Sequence, residues 1–133
     1  MELPDIDNIM KIYQAELLSD LKVDELSLKD KAMLVPTLKH KWVARTMTWK
    51  SKIKRLNDAK KKAMKEFAEK HSVALSKSLM EQAALSDPRI GQIHETIDQI
   101  ELLIEYLEKI EKLTGTLTWD CKNLIDLQRL ETT

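Results

Sequence analysis

"PRIGQIHETIDQIELLIEYLEKI", residues 88–110, decides the fold. Ile90, Ile97 and Ile104 recur every seven residues, as do Ile93, Ile100 and Leu107, and Leu103, Ile110, Leu117 and Leu124 carry the interval onward. A sustained seven-residue apolar period belongs to an α-helix whose seam stays turned toward another helix, and it favours left-handed supercoiling. Asp87 and Pro88 stand where an N-cap and a first helical residue belong. Within "IELLIEYL", residues 100–107, apolar side chains occupy more than half the helix circumference. That is wider than the roughly 100° stripe that one core face requires. A single antiparallel neighbour covers only part of it, so the remainder is expected to meet other copies of the chain.

Outward from this helix, the composition supports an all-α protein. Aromatic residues make up 5% of the 133 residues and Gly occurs twice, while Ala, Leu, Ile, Lys and Glu dominate. Pro4, then Ile6, Ile9, Met10, Tyr13 and Leu17, predict a helix over about residues 4–18. Residues 19–35 read as a connector. Pro36 suits a first helical position, and Trp42, Thr46, Trp49, Ile53, Leu56, Ala63 and Phe67 then form one apolar column, predicting a helix over about 36–71. His71 and Ser72 interrupt it, and "SKSLMEQAALS" is a short helix or an ordered loop. The expected protomer is a long helical hairpin of coiled-coil type with a C-terminal oligomerisation helix. Residues 1–86 form its N-terminal helical region, and 87–133 its oligomerisation region, with a hinge near Gly115. The expected interface residues are Leu102, Leu103, Tyr106, Ile110, Leu117, Trp119, Leu124 and Leu127.

The second helix poses the functional question. "KHKWVARTMTWKSKIKRLNDAKKKAMK", residues 39–65, holds eleven Lys and Arg against the single acid Asp58, in a chain with 22 bases and 22 acids. Its cations flank the apolar column: Lys41, Arg45, Lys52, Arg55 and Lys62 on one side, Lys50, Lys54, Lys61 and Lys65 on the other, and Lys60 opens the run Lys60-Lys61-Lys62. Like charges at this spacing weaken a helix by a few tenths of a kcal/mol per pair, about, so a compensating anion is expected. The acidic ends could supply it, since residues 1–30 carry eight acids against three bases and 92–131 carry nine against four. Alternatively a polyanion supplies it. A membrane surface is disfavoured, because the apolar column follows packing rather than interfacial spacing. Nucleic acid bound through its phosphates is preferred, with these ten cations as contacts and no machinery for reading sequence. Trp42 and Trp49 either pack in the core or stack on unpaired bases.

Other chemistry finds no support. Gly91 and Gly115 cannot build a phosphate-binding glycine loop. His40, His71 and His94 lack neighbours at metal-ligand spacing, and Cys121 reads as a small buried hydrophobe beside Leu117 and Leu124. No enzyme, metal or cofactor is expected. With one cysteine, no signal-like segment and no long apolar run, the chain is expected to be soluble and intracellular.

Residues 38–72 resemble the corresponding helix of the UvsY-type recombination mediator family of tailed phages, at Lys41, Trp42, Arg55, Lys60, Lys61, Ala63, Lys65 and Ser72. The tail "WDCKNLIDLQRLE" resembles that family's C-terminal pattern through Trp119, Lys122, Leu124, Asp126, Leu130 and Glu131. The resemblance implies a homo-oligomeric ring of about six to eight subunits, closed through the C-terminal region, that binds single-stranded DNA in the host cytoplasm. It also implies two protein partners, a RecA-like recombinase and the single-strand-binding protein it replaces, and no ATPase activity. The family's DNA-contacting segment falls on residues 64–69, where Lys65 matches and Phe67 takes the position of an arginine. The departure moves weight onto Lys60, Lys61 and Lys62 and onto Lys50, Lys52, Lys54 and Arg55. The rival readings are a coiled-coil adaptor that docks an acidic protein and a duplex-binding architectural protein.

Overall fold

The structure, a computed structural model, describes residues 2–22, 28–71 and 76–132, and within them there are four helices and no strand. They are α1 (Ile6–Leu21), α2 (Leu28–Lys70), α3 (Lys77–Leu85) and α4 (Pro88–Thr132). The fold is all-α. Its frame is an antiparallel pair of long helices, α2 and α4, about 65 Å each at 1.5 Å per residue.

The seven-residue period is what holds the pair together. Val35, Trp42, Trp49, Leu56 and Ala63 of α2 are all buried, as are Ile93, Ile100, Leu107, Thr114 and Cys121 of α4. Thr114 is tolerated in this column because its hydroxyl donates to the Ile110 carbonyl at 3.1 Å. At one end of the pair Leu28 and Val35 pack with Leu117 and Cys121; at the other, Ala63 packs with Ile90 and with Ala84 of α3.

Helix starts follow their capping chemistry. Asp5, rather than Pro4, begins α1, its carboxylate accepting the Asn8 amide at 3.2 Å. Ser76 caps α3 through the Leu79 amide, and Asp87 accepts the Arg89 amide at 2.9 Å ahead of Pro88, as the sequence led one to expect. His71 lies just past the end of α2, while Ser72 is outside the described residues.

Two expectations are corrected. The connector assigned to residues 19–35 is much shorter: α1 continues to Leu21 and α2 begins at Leu28, so Pro36 lies inside a helix rather than at its start. Proline denies the Ala32 carbonyl its helical donor. The helix persists across it because burial of Leu28 and Val35 against α4 offsets that loss. The second correction concerns the wide apolar arc of residues 100–107. Apart from Leu102, which stays 63% exposed, it is covered inside the protomer, because α1 lies against α4 as a third helix, with Ile6 and Leu17 buried in the same cluster as Ile100, Leu103 and Leu107. Arc width there demands no second chain. α4 runs uninterrupted through Gly115, and a Cβ on that glycine would meet nothing within 4 Å.

Candidate nucleic-acid interface

The cations of α2 fall into two groups according to what the rest of the chain places beside them. In the N-terminal half, α1 supplies carboxylates. Arg45 donates through both terminal nitrogens to Glu16, at 2.6 and 3.1 Å, and Lys41 reaches Glu16 at 3.0 Å and Asp20 as well. Such forked, part-buried pairs exceed ordinary surface ion pairs in geometry and in strength. Arg45 holds the Glu16 carboxyl below the ordinary value of 4.5 by hydrogen bonding, with Lys41 adding to the effect against the opposing pull of burial. Lys41 and Arg45, expected to contact phosphate, are therefore already neutralised within the protomer.

Lys50 is matched by Glu108 of α4 at 3.1 Å, both side chains half exposed. Lys52 lies over the Trp49 ring at 4.3 Å, and Lys60 donates to His94 Nδ1 at 2.8 Å. The remaining expected contacts are different. Lys54, Arg55, Lys61, Lys62 and Lys65 are exposed, and among the described residues none of them forms an ion pair. They share the outer side of α2, opposite its buried column. The difference from the first half comes from Glu16 and Asp20, which lie 21 to 29 residues from their partners.

Trp42 and Trp49 are core residues. They are 0% and 3% exposed, and their indole N–H groups are satisfied inside the protein, Trp42 by Asp20 at 2.9 Å and Trp49 by the Tyr13 hydroxyl at 3.1 Å. Tyr13 meets Trp42 edge to face at 5.7 Å. Neither face is open to a base, which overturns the stacking alternative. At the far end of α2, Phe67 is stacked on His71 with centroids 4.0 Å apart.

The expected oligomer residues also divide. Leu103, Ile110 and Leu117 are buried against α2 and α1 within the protomer and present no surface to a neighbour. Tyr106 is half buried against the core, and burial pushes its hydroxyl pKa up. Leu102, Trp119, Leu124 and Leu127 are exposed, Leu102 and Trp119 at 63%. Leu113 and Leu130 are exposed on α4 as well. Cys121 is fully buried, and desolvation raises its thiol pKa, away from nucleophilic chemistry. Among the described residues no cluster of His, Cys, Asp and Glu could hold a metal ion, and no helix is long and apolar enough to cross a membrane.

Comparison with known proteins follows this geometry. Three crystal structures of the recombination mediator protein UvsY of bacteriophage T4 superpose on the chain. The first has a TM-score of 0.81 at 18% identity over 91% of this chain and 97% of that one. The others give 0.79 at 19% over 92% and 97%, and 0.76 at 19% over 89% and 97%. At such identity the likeness establishes the fold. A search of curated proteins finds no match. The family described as "Recombination, repair and ssDNA binding protein UvsY" matches residues 16–133, from the carboxylate that neutralises Arg45 to the end of α4, and the chain belongs to the UvsY family.

Proposed function

We propose that the chain is a recombination mediator that binds single-stranded DNA as a homo-oligomer and helps load a RecA-like recombinase onto strands covered by single-strand-binding protein. One observation carries the DNA-binding part: the row of exposed cations Lys54, Arg55, Lys61, Lys62 and Lys65 along the outer side of α2, none of which forms an ion pair among the described residues. Phosphates engage such a row without base readout, and repetition of the row around an oligomer multiplies weak contacts into useful affinity. A strand held this way is retained overall yet released locally, which suits a protein that hands its DNA to another. The exposed apolar residues of the second half of α4, Trp119, Leu124 and Leu127, provide the surface through which copies assemble. No step calls on a nucleotide, a metal or a covalent intermediate, so the role is non-enzymatic, and its setting is the host cytoplasm.

The test is fluorescence anisotropy of labelled single and double strands across a salt series. Single strands are expected to bind with a log–log slope of about 0.7 per phosphate neutralised. The triple variant Lys54→Glu, Lys61→Glu, Lys65→Glu is expected to keep its helical circular dichroism and lose strand binding; retained affinity sinks the assignment. The docking of Glu16 and Asp20 on Lys41 and Arg45 favours a second reading, an adaptor that receives an acidic helix. Displacement of bound protein by an acidic peptide but not by oligo-dT decides for that reading.

A further inference from the structure

Beside α2 the N-terminal segment leaves a hollow of about 710 Å³, lined by Glu2, Leu3, Asp5, Lys52, Arg55 and Leu56 among others. Its volume lies in the range of small-molecule sites and exceeds what one nucleobase needs. Glu2 and Asp5 precede residue 16, where the family match begins, so this chain builds the hollow with a segment outside that match. A second, smaller hollow of about 360 Å³ lies on the neighbouring surface of α2, between Met47, Ser51 and Arg55. Lys52 and Arg55 line both. A strand lying along the outer side of α2 therefore reaches the first hollow across a ridge made of two cations.

The polar groups of the hollow are of two kinds. Lys52 and Arg55 suit a phosphate. Glu2 and Asp5 repel one, yet their carboxylates accept hydrogen bonds from an exocyclic amine. Asp5 uses Oδ1 to cap α1 through the Asn8 amide, which leaves its other oxygen to accept. Cytosine, adenine and guanine carry such an amine and thymine does not. Leu3 and Leu56 supply apolar surface for the ring.

Resting on single-strand binding as proposed above, we infer that this hollow takes one amine-bearing base turned out of the bound strand. The phosphate of that nucleotide sits on Lys52 and Arg55, and its amine donates to Glu2 or Asp5. The strand is thus gripped mostly without regard to sequence, but with a preference for cytosine over thymine at one nucleotide per protomer.

The experiment compares labelled oligo-dC and oligo-dT of equal length, at mildly alkaline pH and fixed salt, with the full chain and with the Glu2→Gln, Asp5→Asn variant. Asparagine caps a helix as well as aspartate, so α1 is retained in the variant. The wild-type chain is expected to bind oligo-dC about ten- to a hundredfold more tightly, the equivalent of one charge-assisted hydrogen bond. The variant binds both strands more tightly through its lost negative charge, and the ratio between them falls toward one. Equal binding of the two strands by the wild-type chain overturns the inference and leaves single-strand binding standing. A cytosine preference that survives in the variant overturns the role of the two carboxylates and the inference with it. Binding of neither strand overturns both this inference and the function on which it rests.

Discussion

Trp49 has a neighbour whose loss would be felt. Its indole N–H donates to the Tyr13 hydroxyl, and its ring carries the Lys52 ammonium on one face. Trp49→Phe removes the bond and some core volume, and a loss of about 1–3 kcal/mol is expected in urea denaturation. Single-strand affinity should change by less than about twofold, whereas a stacked base would cost about 1–3 kcal/mol. Glu16 is the second informative residue. Arg45 holds its carboxyl below the ordinary value, so its contribution to stability is fully present above about 4.5 and is lost as pH falls through the lowered native value. A descending pH series of denaturation curves should show this loss, and Glu16→Gln should be less stable at neutral pH and flatter across that acidic window. That Glu16 would meet Arg45 could not be read from the local pattern. The acidic surplus of residues 1–30 was visible, but its address on α2 depends on where α1 docks.

Among the elements, α4 and the second half of α2 were readable because a seven-residue period names both the helix and its buried side. The start of α2 was not. Proline at a helix start is so common locally that it outweighed Leu28 and Val35, whose value becomes apparent only beside Leu117 and Cys121. The same residue gives a prediction. Pro36 is exposed inside α2, and proline is about 3 kcal/mol worse than alanine in a helix interior. Proline also restricts the unfolded chain, so the net gain from Pro36→Ala is expected to be smaller, about 1–2 kcal/mol in the denaturation midpoint analysis. Gly115→Ala belongs with it: the added methyl enters open space within a helix, and a gain of about 0.5–1 kcal/mol is expected. A loss at Gly115 instead would mean that another copy of the chain approaches its backbone closely.

For the whole molecule, the width of an apolar arc proved a poor guide to oligomerisation, because it counts surface without knowing how many helices of the same chain will claim it. Ile100, Leu103, Ile104, Tyr106 and Leu107 are claimed by α2 and α1, and of the arc only Leu102 stays exposed. Leu124 and Leu127 lie where α4 runs alongside only the first turns of α2, and they remain exposed. Leu124→Glu with Leu127→Glu should therefore leave the helical signal intact while sedimentation shows monomers. Leu103→Glu should unfold the protomer by burying a charge. If the double variant stays assembled, copies meet through another surface.

The uneven placement of α1 has a mechanical corollary. Any polyanion lying along α2 meets a graded grip: strong near Lys61, Lys62 and Lys65, which form no ion pair among the described residues, and faint near Lys41 and Arg45, where Glu16 and Asp20 already occupy the donors. Detachment from such a rod starts at the faint end and proceeds stepwise, as peeling rather than wholesale release. With single strands bound as proposed, each protomer imposes a direction on their release.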